Sequence, residues 1–185
     1  MSEADGTNPK LGFDTSLSAT NVLSDWTTQA AGTYTLFRRI ASVLTDSSSN
    51  ILAYTQIADR FIFDTPISDT TTRTNVITQQ AMSTPLGITT IGLLYATMSQ
   101  TSSSGPAAVA LGVTGGSRPD SSERRVLGMR STTVSSPDGF GYNAGQFECE
   151  TNTSSQIKYR IFNHSNFQAF DLGTLGWIDN RGKDE

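Results

Sequence analysis

Histidine and cysteine occur once each in these 185 residues, as His164 and Cys149, and lysine only as Lys10, Lys158 and Lys183. A lone cysteine excludes an intrachain disulfide framework and any zinc site built from clustered cysteines. Charged side chains make up 16% of the chain, against about 25% in an ordinary soluble domain. The formal net charge of -4 argues against sequence-independent nucleic-acid binding, which requires clustered cations to displace counterions. No apolar run approaches the ~20 residues that span a bilayer, and the longest, Pro85 to Met98, is interrupted by threonines and glycines. The opening MSEADGTNPK has neither the basic stretch nor the apolar stretch of a signal peptide. The expectation is a soluble chain made in the cytoplasm, or one delivered outside without a cleaved signal, and in either case without membrane insertion.

What the chain has in place of chemistry is hydroxyl groups. Serine and threonine together fill about a quarter of the positions, a composition suited to short β-strands and polar turns. Residues 1–32 are polar with scattered hydrophobes (Leu11, Phe13, Leu17, Val22, Leu23, Trp26) at neither helical nor strand spacing. They read as an extended N-terminal arm, folded back on its own domain or laid over a neighbouring subunit. Residues 33–185 read as one β domain.

Within that domain, Tyr34 to Leu44 and Ile51 to Ala58 fit strand and helix periods alike. Arg60 to Phe63 reads as a strand stopped by Asp64-Thr65-Pro66, and Thr74 to Met82 as another. Ile88 to Gln100 is β-branched and apolar enough for a central strand; Ala107 to Thr114 follows a Ser/Gly/Pro turn. The strongest pattern comes last. Phe147, Cys149 and Thr151 alternate with Glu148 and Glu150, Asn152 to Ser155 turns the chain, and Ile157, Tyr159 and Ile161 alternate with Lys158 and Arg160. That pattern predicts a hairpin of Gln146–Thr151 with Gln156–Phe162, its acids facing its bases across the pair. Phe167 to Ile178 closes the set, with Gly173 and Gly176 marking bends or bulges. Strands every 10–15 residues predict an antiparallel β-sandwich or jelly roll.

Candidate sites are few. His164 lies in a turn sequence with no second histidine or cysteine nearby, and no G-x-S-x-G elbow exists to present a serine to it. Glu148 and Glu150 have the residue types of a glycosidase pair, but their expected place opposite Lys158 and Arg160 favours a solvated ion-pair face. Asp59, Asp64 and Asp69 could share a cation only if loops brought them together. Cys149 falls on an apolar strand face, as a small buried hydrophobe would. Asn152-Thr153-Ser154 and Asn163-His164-Ser165 match the glycosylation acceptor pattern, and both also suit turns. Gly115-Gly116-Ser117-Arg118 lacks the lysine of a P-loop. Arg118, Arg124, Arg125 and Arg130 form a modest basic patch. No catalytic group, cofactor or metal is expected; the binding candidates are the aromatics Trp26, Tyr142 and Trp177. Trp177 also suits a second role, as a plug at the rim of the core or at a subunit interface.

A Ser/Thr/Gly-rich, lysine-poor, acidic β domain closing on Leu172-Gly-Thr-Leu-Gly-Trp-Ile-Asp-Asn-Arg-Gly182 resembles the accessory structural proteins of tailed-bacteriophage virions: head-decoration proteins, fibre proteins and tail-fibre tips. The resemblance implies a mainly β, antiparallel sandwich or jelly-roll-like domain, homotrimeric, displayed on a virion and without enzymatic activity. It also implies other virion proteins as partners, met through the N-terminal arm. The alternative is a carbohydrate- or receptor-binding module at a fibre tip, with a host-surface glycan as ligand.

Overall fold

The computed structural model describes residues 12, 21, 24, 41–101, 107–114, 127–131, 140–162 and 167–179. Val43–Asn180 forms one unit, and Met1–Ser42 with Arg181–Glu185 another. All the strands belong to the first. The expected arm lies outside the described residues except for Gly12, Asn21 and Ser24.

Among the described residues every named element is a strand: β1 (Tyr54–Ile57), β2 (Arg60–Thr70), β3 (Thr78–Ala81), β4 (Thr90–Thr101), β5 (Ala107–Val113), β6 (Leu127–Ser131), β7 (Phe140–Thr151), β8 (Gln156–Phe162) and β9 (Phe167–Ile178). They form two antiparallel sheets, in the orders β1-β2-β9-β4-β7 and β3-β8-β5-β6. The pairings nest: β2 with β9, β3 with β8, β4 with β7, β5 with β6. The chain thus doubles back on itself as one long hairpin and rolls up, so that β4 also takes β9 and β5 also takes β8. Nested antiparallel pairing across two sheets is the jelly roll, and the expected sandwich class holds.

The expected hairpin does not. Asn152 to Gln156 makes a tight turn: the Asn152 amide donates to the Gln156 carbonyl at 3.1 Å, and Asn152 Oδ1 accepts from the amides of Ser154 and Gln156 at 3.0 and 2.8 Å. Beyond the turn the strands part, β7 to the five-stranded sheet and β8 to the four-stranded one. Alternation is the same for a strand paired with its neighbour and one packed face-on against it, so the pattern could not tell the two apart. Glu148 consequently meets Arg60 of β2, at 2.8 Å, and not Lys158 or Arg160. Arg160 lies instead over the Phe162 ring, 4.8 Å from its centroid.

Two strand boundaries also differ from expectation. β2 runs through Asp64-Thr65-Pro66, because its register with β9 slips between Ile62 and Ile67; a proline is tolerated where no ladder bond is required of it. β3 begins at Thr78 rather than Thr74, since the Thr74 hydroxyl accepts from the Val76 amide at 3.1 Å and bends the chain locally. β6 and the first half of β7 lie outside the expected strands, although Leu127 and Met129, and Phe140, Tyr142 and Ala144, alternate with glycine or polar residues.

Between the sheets, Leu94, Ala96 and Met98 of β4, Cys149 of β7, and Phe170 and Leu172 of β9 pack against Val109 and Leu111 of β5 and Ile157, Tyr159 and Ile161 of β8. Each contributes alternate residues of its strand, as one buried sheet face requires. Gly173 and Gly176 keep β9 close to β2: a Cβ at either would stand about 2 Å from a β2 carbonyl oxygen, that of Ile67 or of Phe61.

Candidate functional site

The structure brings four groups of side chains together, each from residues distant in sequence. The first is aromatic. β9 sets Trp177 beside Phe61 of β2, and the rings stack at 4.9 Å with 3° between planes. Phe63 and Tyr54 tilt onto the same indole at 5.3 and 5.9 Å. Trp177 is fully buried, and among the described residues its Nε1 has no hydrogen-bond partner. A ring enclosed in this way offers no face to a sugar, so of its two expected roles the plug of apolar surface is the one its position suits. Trp26 lies outside the described residues, as does the Tyr142 side chain, whose backbone belongs to β7.

The second group is a buried hydroxyl cluster at the β7–β8 turn. Thr90 and Thr151, opposite each other on β4 and β7, bond at 2.9 Å. The Ser155 hydroxyl bonds that of Thr84 and reaches the carbonyls of Met82 and Thr84 at 2.7 and 2.8 Å. All four side chains are almost wholly buried. They hold the β3–β4 crossover against the β7–β8 turn.

The third is a carboxylate seam along β2 and β9. Thr174 donates to Asp69 Oδ2 at 2.6 Å and Ser83 to Asp69 Oδ1 at 2.7 Å. One residue back, Ser68 donates to Asp171 at 2.6 Å, and Tyr95 donates to its other oxygen at 2.8 Å. Desolvation, then the bond to the Asp171 carboxylate, pushes the Tyr95 phenol up to about 12. Partial burial pushes the Asp69 carboxyl above the usual carboxylate range, although its hydroxyl donors act the other way.

The fourth is an open groove of about 280 Å³ between the Leu44–Leu52 segment and the hydroxyl cluster, with Leu44, Leu52, Met82, Leu86, Thr84 and Ser155 in its walls. Leu86 stands at its rim, 71% exposed.

The remaining candidates are dispersed. Asp59 sits in the β1–β2 turn, where its carbonyl accepts from the Asp179 amide at 2.9 Å, while Asp69 is at the far end of β2. Among the described residues no three His, Cys, Asp or Glu side chains could share a metal ion. Cys149 is buried, and desolvation raises its thiol to about 11. The Asn152 amide of the first glycosylation pattern is engaged in holding its turn. His164, the second pattern at Asn163, Gly115, Gly116, Arg118, Arg124 and Arg125 lie outside the described residues; so does the side chain of Arg130, whose backbone is in β6.

The hydroxyl cluster and the carboxylate seam had no sequence signal: their bonded side chains stand 14 to 105 positions apart, and Ser, Thr and Asp at these positions look like any turn or strand-end residues. No protein-family model matches the sequence, and no curated protein matches it either.

Proposed function

We propose that the chain is a non-enzymatic structural component of a tailed-phage particle, a decoration or fibre-type protein that assembles as a homotrimer and docks through residues 1–32. The nested jelly-roll pairing of β2–β5 with β9–β6 carries the reading. Jelly rolls recur in viral capsid and lectin domains, and the step from fold to role is one of analogy. The chemistry is consistent with it. Hydroxyls are committed to one another and to backbone carbonyls at the crossovers, and the only thiol is buried and protonated at neutral pH. A surface poor in lysine loses little side-chain entropy on docking.

The test is incorporation. Particles from the producing cells, banded on a density gradient and probed with an antibody to the chain, should carry it in fixed stoichiometry. Deletion of residues 1–32 should abolish incorporation while the far-UV β spectrum persists. A chain that stays at the top of the gradient and instead labels a glycan array would be the carbohydrate-binding module of the alternative reading.

A further inference from the structure

β2 ends beside the point where the chain leaves the five-stranded sheet for β3, and Ser83 lies where it begins its return from β3 to β4. Asp69 ties both crossings to β9. Its register position is a bulge, between Ser68 opposite Gly173 and Thr70 opposite Leu172, and a bulge can re-aim a side chain. One carboxylate oxygen takes the Ser83 hydroxyl and the other takes Thr174, whose own oxygen accepts the Ser83 amide at 3.2 Å. The Asp69 carbonyl accepts from Gln80 of β3 at 3.2 Å. Three elements therefore converge on one half-buried residue, and the side chains holding its carboxylate are neutral hydroxyls.

The charged and titratable groups around it add no counter-charge. β9 contributes Asp171, whose charge opposes ionisation of Asp69. β4 contributes Tyr95, whose phenol stays neutral below about 12. Ser83 and Gln80 supply the contacts from β3 and its crossover. Among the described residues no cation pairs with the Asp69 carboxylate.

We propose that Asp69 is an acid-strengthened latch between the two sheets: protonation tightens the β2–β3 and β3–β4 crossings onto β9, and ionisation loosens them. When protonated, the carboxyl group donates one hydrogen bond and still accepts another, so one of the two hydroxyls turns from donor to acceptor. The seam keeps its hydrogen bonds and is relieved of a charge without a counter-ion. The sign follows from linkage. A carboxyl that holds its proton more tightly folded than unfolded adds stability as pH falls through its folded value, and adds no more below its unfolded value. This is opposite to the behaviour of a salt-bridged aspartate.

Asp69→Asn, which fixes the seam in an uncharged state, tests the latch. The melting-temperature difference, variant minus wild type, should fall as pH drops from 8 to 4, whatever constant offset the amide introduces. A difference that is flat across that range, or that grows as pH falls, overturns the proposal. Direct titration of the wild-type Asp69 carboxyl carbon by NMR applies even if the variant fails to fold. A midpoint above that of an unstructured aspartate supports the latch, and one at or below it refutes the latch.

Discussion

Two neighbouring clusters of the interior are held together by different physics. Around Trp177, four aromatic rings, its own included, pack with no hydrogen bond to the indole among the described residues. Around Ser155, four hydroxyl side chains are bonded to one another and to backbone carbonyls. The aromatic cluster draws its stability from buried area, which is large and forgiving of small rotations. The hydroxyl cluster gains little net energy from each bond but is costly to break in part, because every stranded partner remains buried without an acceptor or donor. One corner is strong through size, the other through completeness.

The comparison can be broken hardest at Trp177. Trp177→Ala should cost about 3–5 kcal/mol in denaturant unfolding, whereas Trp177→Phe should cost much less, since the indole nitrogen gives up no bond. Equal losses for the two would mean that the nitrogen has a partner after all. In the hydroxyl corner, Thr151→Val keeps shape and volume yet should cost about 1–3 kcal/mol, because Thr90 loses its partner. If valine is neutral there, completeness is not what holds that corner. The smallest effect belongs to the surface. A double-mutant cycle on Arg60 and Glu148, roughly half exposed, should give a coupling of about 0.2–1 kcal/mol that fades with added salt. The corresponding cycle on Glu148 and Arg160 should give none, since their strands lie in different sheets.

Much of the fold was legible without coordinates, because alternation records which residues of a strand are buried. Leu94 with Ala96 and Met98, and Ile157 with Tyr159 and Ile161, face inward as the period of two demands. β9 occupies the expected Phe167–Ile178, with Gly173 and Gly176 at its close approach to β2. What alternation leaves out is the partner. Phe147 to Phe162 reads as a local hairpin, yet β7 and β8 part into different sheets because each pairs with strands tens of residues away. Side-chain period is a property of one strand, while pairing is decided by how the whole chain rolls up. For the same reason the sequence by itself determined a hydroxyl-rich antiparallel β protein with one cysteine and one histidine. Only the tertiary structure decided that Asp69 meets Thr174 and Ser83, and that Trp177 is enclosed by rings. Contacts that close over 14 to 105 positions leave no local trace in the residues that make them.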